Sequence, residues 1–293
     1  MVYYRLGDVI KELRDRLHMT QEELADGICS VSSVAKIEGG SQMPSGRIAE
    51  ALLRRLKDAG CFFTGFAQAQ ELEELYSWEH LITHARKHRT NSSRFENQLY
   101  AYVRVIERMQ RESNHAVLLL DLMEILVMSM PLEELYDESA RRRTYSYLEL
   151  YILNSIAVQF YYMESFDAAE RILERLCVYL REWHLSGEVG ARLYPVTCNN
   201  LTAVKLSRGE LHTAKRWCEE GLGCSLNAGM LHALPSLYGN LSSICHALRE
   251  TTQAQLAYSR MQMLCELLRE RRNGPVLPEA ELLKESCLMS FVW

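Results

Sequence analysis

Apolar residues near the start of the chain recur at helical intervals. Leu6, Ile10, Leu13 and Leu17 are spaced four, three and four apart in RLGDVIKELRDRLH, which predicts an amphipathic first helix. Thr20 follows with Glu23 three residues on, a capping box that starts a second helix with Leu24 turned inward. Gly27 ends that helix after barely two turns. Ser30 can cap a third helix through VSSVAKIE, whose Val34 and Ile37 point inward and leave Val31, Ser32, Ser33 and Lys36 on the other side. GGSQMPS stops it, and GRIAEALLRRL supplies a fourth amphipathic helix. Two short helices joined by a tight turn, with a helix bracing each side, make a helix-turn-helix bundle.

After KDAGCFFTG the pattern changes. From Phe66 to Trp293 apolar residues recur at three- and four-residue intervals over long stretches, with almost no strand-like alternation. The expected fold is therefore all-α, with a helix-turn-helix bundle over 1–60 and an array of helix pairs over 66–293. A repeat is visible in LNSIAVQFYYMESFDAAERILERL (153–176), CNNLTAVKLSRGELHTAKRWCEEGL (198–222) and YGNLSSICHALRETTQAQLAYSRM (238–261). Each has a large apolar residue (Ile156, Leu201, Leu241), then a small one (Ala157, Thr202, Ser242), and an alanine thirteen residues after the first (Ala169, Ala214, Ala254). The steps between repeats are 45 and 40 residues. Small residues at fixed places let paired helices approach closely, and the constant spacing predicts a helix-turn-helix unit stacked on its neighbours. Residues 66–88 and the helices around 94–142 read as earlier, more worn units, and LPEAELLKESCLMSFVW as a closing cap.

In such a stack the first helix of each pair lines the concave face. Asn154 and Asn199 both lie two residues before the large apolar residue of their repeat, which places them at equivalent heights there. A carboxamide carries an acceptor and two donors, the complement of a peptide backbone, so both are candidate peptide contacts. Tyr151, Tyr161 and Tyr162 share the first helix and are further candidates. The same pattern is met if Asn200 and its neighbours link adjacent helices and the tyrosines only pack.

Composition narrows the class. With 48% hydrophobic residues, 24% charged and 6 Pro, the chain can bury a core and has few forced helix breaks. Nine cysteines stand singly, with no Cys-x-x-Cys pair and no signal peptide, so they read as reduced, buried small hydrophobes of a cytoplasmic protein. The most apolar run, AVLLLDLMEILVMSM (116–130), contains Asp121 and Glu124 and reads as a core helix, so no membrane span is expected. A net charge of -5 argues against a generally basic, sequence-blind nucleic-acid binder. Residues 1–60 hold nine Lys/Arg against nine Asp/Glu, so any DNA contact must come from where the charges sit. No Gly-rich phosphate loop, nucleophile elbow or paired-carboxylate motif is present, and neither an enzyme nor a cofactor is expected. His80, His84 and His88 have a spacing that can ligate a metal, but no cysteine lies nearby in sequence, and they read as a solvated or interdomain face. ARRRTY (140–145) is a solvated helix end or a receiver for a peptide carboxylate.

LGDVIKELR, MTQEELADGICSVSSVAKIEGG and the following PS closely resemble the XRE/Cro-like DNA-binding domains, and GICSVSSVAKIE is most similar to the Rgg/PlcR-type regulators of Gram-positive bacteria. The resemblance implies sequence-specific binding in the major groove of double-stranded DNA, with the third helix as reader. Gln21 would contact phosphate, Val31, Ser32, Ser33 and Lys36 would face the groove, and Arg14 and Glu38 would pair inside the fold. The loop GGSQMPS departs from the family in lacking basic residues, which removes phosphate contacts and makes a homodimer the expected DNA-binding form. The second half resembles degenerate tetratricopeptide repeats, arranged as a right-handed superhelix. Together the halves resemble cytoplasmic regulators that sense a short imported signalling peptide, in which peptide binding shifts the spacing of two reading heads. The alternative keeps DNA binding and gives the repeats a partner protein to dock, as in a phage or mobile-element repressor or an anti-activator-type scaffold.

Overall fold

The computed structural model describes residues 6–42, 44–59, 94–109, 111–136, 145–182, 188–229 and 231–273. Among these residues the regular elements are all helices, as expected. The chain divides into two compact units, Met1–Leu153 and Asn154–Trp293. The boundary expected between residues 60 and 66, the worn unit at 66–88 and the closing cap from 277 onward lie outside the described residues.

The first unit opens with α1 (Leu6–Arg16), α2 (Gln21–Ala25), α3 (Val31–Glu38) and α4 (Gly46–Asp58). Its core takes most of what the periodicity selects: Ile10, Leu24, Val34 and Ile37 are at most 1% exposed, as are Leu52 and Leu56 of α4, while Leu17 at the end of the first stripe is half-buried. The capping box is closed in both directions, Glu23 N–H donating to Thr20 Oγ1 (3.1 Å) and Thr20 N–H to Glu23 Oε2 (2.7 Å). Gly7 marks the closest approach in the bundle. A Cβ there would stand 1.9 Å from the Ile37 carbonyl oxygen, so the backbones of α1 and α3 meet with no room for a side chain.

Further on, α5 (Arg94–Met109) packs on α6 (His115–Val127), followed by the short α7 (Glu133–Tyr136). Buried Gln98 ties the two long helices together by donating to the Ile125 carbonyl (2.9 Å) and to Ser129 Oγ (2.8 Å). The apolar run in α6 is a core helix: Leu118, Leu122 and Leu126 are buried, and Asp121 pairs with Arg108. No described helix is long and apolar enough to cross a membrane.

Three helix pairs follow: α8 (Tyr147–Tyr162) with α9 (Phe166–Glu182), α10 (Glu188–Ser207) with α11 (Leu211–Asn227), and α12 (Leu234–Ala247) with α13 (Thr251–Asn273). Their turns are superimposable in sequence. Glu164, Gly209 and Arg249 each take a left-handed backbone (φ 59, 76 and 63), separated by the same steps of 45 and 40 residues. In each turn the next residue sends its N–H back five residues: Ser165 to the Phe160 carbonyl (2.9 Å), Glu210 to Lys205 (2.9 Å) and Glu250 to Cys245 (2.8 Å). This is the Schellman closure, which satisfies carbonyls the first helix leaves unpaired. The repeat alanines Ala169, Ala214 and Ala254 are all buried. Of the cysteines, Cys177, Cys198, Cys218 and Cys245 are buried and unoxidised in this unit, and burial pushes the Cys198, Cys218 and Cys245 thiols up.

Candidate nucleic-acid interface and inner-helix amides

In α3, packing on α1 and α2 decides which side chains stay outside. Val34 and Ile37 are at 0% and 1% exposure, whereas Val31, Ser32, Ala35 and Lys36 are exposed and Ser33 is half-buried. Ser30 caps the helix by accepting from Ser33 N–H (3.1 Å). Its hydroxyl also lies 3.0 Å from Ser32 Oγ and 2.8 Å from Ser33 Oγ, so three hydroxyls form one local cluster at the head of the helix. Lys36 leaves its ammonium at the surface. Its carbonyl accepts from Ser41 N–H (2.9 Å) and Gln42 N–H (3.2 Å), which folds the following loop against the helix end.

A buried carboxylate holds the two short helices to α1. Glu38 receives Arg14 Nε on Oε1 (2.6 Å) and Arg14 Nη2 on Oε2 (2.9 Å), the paired geometry the family resemblance implies. These bonds hold the Arg14 guanidinium above its ordinary value. Gln21 joins the same carboxylate, donating Nε2 to Glu38 Oε2 at 2.7 Å. Its expected side chain to phosphate therefore has one of two amide hydrogens engaged inside the domain, leaving the other for an outside acceptor. Arg55 of α4 was not singled out by the sequence. Its Nη1 donates to the carbonyls of Glu23 (3.1 Å), Leu24 (3.3 Å) and Asp26, the open end of α2. A five-residue helix has most of its carbonyls at an end, so an arginine there stands in for the helix it lacks.

In the second unit the amides are placed differently from the expectation of an open face. Asn154 and Asn199 are 0% and 1% exposed. Asn200 Nδ2 donates to Asn154 Oδ1 (3.0 Å), and Asn240 Nδ2 donates to Asn199 Oδ1 (2.9 Å). The same bond thus joins α8 to α10 and α10 to α12, with acceptors two residues and donors one residue before the large apolar position. Asn200 does link adjacent helices, and the signal for Asn240 was its equivalent place before Leu241. Asn154 Nδ2, with no exposed surface, finds no partner among the described residues. Tyr161 and Tyr162 are half-buried, their rings edge to face at 5.6 Å, and the Tyr161 hydroxyl lies 3.2 Å from Ser207 Oγ. Burial pushes the Tyr162 hydroxyl up. Tyr151 belongs to the first unit, where its carbonyl accepts from the Tyr102 hydroxyl (3.4 Å). His80, His84 and His88 and most of the basic run at 140–145 lie outside the described residues.

Another network missed by the sequence reading surrounds Lys205. Its nearly buried ammonium meets Glu170, Glu210 (3.2 Å) and Glu174 (3.5 Å), while Arg208 reaches Asp167 and Glu170. Burial alone would lower the lysine, but the hydrogen bonds to Glu170 and Glu210 more than offset it and hold it above its ordinary value. The cluster ties α9, α10 and the turn before α11 together, two cations bridging four carboxylates as a structural brace.

Residues 10–57 match the family model described as Helix-turn-helix, HTH_3. Over nearly its whole length the chain is similar to solved structures of Bacillus thuringiensis PlcR. The complex of that protein with the peptide PapR7 and DNA has 17% identity and a TM-score of 0.52, covering 97% of this chain and 99% of that one. Its apo form has 16% identity and the same TM-score, covering 97% of each chain. ComR from S. thermophilus, solved with DNA and its signalling peptide ComS, has 16% identity over 97% of this chain and 99% of that one, with a TM-score of 0.43. No curated protein matches. The N-terminal segment is thus a helix-turn-helix domain of the DNA-binding kind. The chain as a whole has the fold of PlcR, a helix-turn-helix domain followed by a helical repeat domain.

Proposed function

We propose that this protein is a sequence-specific transcription regulator that reads operator DNA with α3 and binds a short signalling peptide on its repeat domain. The DNA-reading half rests on one observation. In a segment matched by the helix-turn-helix family, α3 keeps Val31, Ser32, Ala35 and Lys36 outside while a Glu38–Arg14–Gln21 network fixes its pose. The functional division is 1–60 for DNA and 66–293 for peptide sensing and dimerisation. Gln21 meets a phosphate with its second amide hydrogen.

For the peptide, the support is Asn154. An amide donor buried without a partner among the described residues costs about 1–3 kcal/mol, and a peptide carbonyl admitted as the helix pairs part would supply its acceptor. PlcR, whose fold this chain shares, has been solved with a peptide and DNA together. Tyr161 and Tyr162 flank the same helix, and Tyr151 lies on its earlier half. Peptide binding that favours one arrangement of the helix pairs shifts the DNA-binding equilibrium by its differential affinity. A homodimer supplies the phosphate contacts one neutral domain lacks.

Selection of bound sequences from random duplexes, followed by titration of Lys36→Glu and Ser32→Glu, tests the first half. Each variant places a carboxylate against the groove and is expected to abolish operator binding in a folded protein. Ser33 is less suitable, because its side chain is half-buried whereas that of Ser32 is exposed. A folded double variant that binds as wild type would refute the reading. Calorimetry with short peptides encoded beside the gene tests the second half, with loss of binding expected in Asn154→Ala.

A further inference from the structure

The exposed side of α3 has two chemically distinct columns. Ser32 and Lys36 form one; Val31 and Ala35, also four residues apart, form the other. One turn of helix separates the members of each column by about 6 Å along the axis, close to two base-pair steps. Val31 is the conspicuous member, because an isopropyl group left 43% exposed at the first position of a helix has nothing to gain from water. The core beneath is already filled by Val34 and Ile37, so packing keeps this position outside but does not require it to be apolar. The polar alternatives beside it are partly spoken for. Ser32 and Ser33 share their hydroxyls with Ser30, and the exposed column carries neither the Asn or Gln that pairs with adenine nor an Arg for guanine.

We infer that Val31 is a specificity-determining residue that reads the 5-methyl group of a thymine in the major groove, with Ala35 extending the same apolar edge. This rests on the DNA-reading proposal above and adds to it the kind of base recognised. The chemistry is selective because the thymine methyl is the one apolar group that base edges present in the major groove. Burying it against the isopropyl group removes both from water, whereas a cytosine at that place would present an amino donor to a surface that cannot accept it. Lys36, in the adjacent column, reads an acceptor such as guanine N7 or a phosphate. Half-sites selected by this protein are therefore expected to hold an invariant A·T pair beside the Lys36 contact.

The test replaces each thymine of the selected half-site, one at a time, by deoxyuridine, which differs only in lacking the methyl. At one position wild-type affinity is expected to fall about fourfold, the equivalent of one buried carbon group. Val31→Ser, which removes both methyls at an exposed site and leaves the fold intact by circular dichroism, is expected to bind thymine and deoxyuridine duplexes equally at that position. Wild-type binding indifferent to every replacement would overturn the inference while leaving DNA reading in place, as would a Val31→Ser protein with undiminished discrimination. Failure to select any sequence would instead remove the reading on which it rests, and the inference with it.

Discussion

Gly7 and Glu250 show how single positions carry consequences at a distance. A methyl group on Gly7 would overlap the Ile37 carbonyl, so Gly7→Ala must drive α1 and α3 apart. Overpacking of this kind costs about 1–3 kcal/mol or more, and here it also displaces the reading helix. Denaturant midpoints and operator titration should therefore fall together for this variant. Glu250 accepts from Lys215 and Glu210 from Lys205, and those bonds hold both carboxyls below the usual 4.5. Because the folded values are depressed, the unfolded chain binds more protons as acid is added. The stabilisation is complete above pH 4.5 and is lost as pH falls through the folded values. Urea midpoints measured between pH 7 and pH 3 should show this loss, and Glu250→Gln should flatten part of it. An acid limb unchanged by that variant would separate the ion pair from stability.

The three inter-helix turns form a natural comparison series among the elements. Gly209 adopts the left-handed backbone without strain, while Glu164 and Arg249 adopt it with a side chain attached. A Cβ at Gly209 would meet nothing within 4 Å, so Gly209→Ala isolates the backbone penalty, about 1 kcal/mol of lost stability. Glu164→Gly and Arg249→Gly relieve the same penalty against a gain in unfolded-chain entropy, and at least Arg249→Gly should raise the denaturant midpoint. The order of midpoints across these variants is the check. The Asn pairs are the complementary case. Asn200→Ala removes the donor to buried Asn154 Oδ1 and should cost about 1–3 kcal/mol, visible in thermal unfolding. Much of this layer was legible in advance: apolar spacing located α1 to α4, Thr20 and Glu23 announced their cap, and the steps of 45 and 40 residues located the repeats. What sequence could not decide was where a carboxamide points. Asn154 and Asn199 have the same periodicity whether they face a ligand or a neighbouring helix, and only the register between helices brings Asn200 and Asn240 within reach. Arg55 was hidden for a similar reason, since its partners are backbone carbonyls thirty or so residues away and leave no pattern in side chains. Ala35 was passed over because alanine suits either face of a helix.

For the whole molecule the expectation is a symmetric homodimer on an inverted repeat, its half-sites about one helical turn or more apart. The motive is charge: residues 1–60 are balanced at nine basic and nine acidic, so two domains must share the electrostatic work. Sedimentation at micromolar concentration should give the dimer mass, and a monomer with tight binding to one half-site would contradict it. A bound peptide also stabilises whatever it binds, by about 2.7 kcal/mol at a hundredfold excess over Kd, so its cognate sequence should raise the melting temperature of the wild type and leave Asn154→Ala unmoved.

The buried thiols of the second unit provide an internal clock for that experiment. Cys177, Cys198, Cys218 and Cys245 have at most traces of exposed surface, and a thiol reagent can reach them only when helices separate. Their labelling rates, followed residue by residue by mass spectrometry, would time the opening of successive helix pairs. Cys218 sits between its own helix and the Leu237 carbonyl of the next pair, at 3.0 Å, so its rate dates the parting of those two layers. A ligand that closes the array would slow the clock throughout, whereas one that merely touches its surface would leave the four hands turning as before.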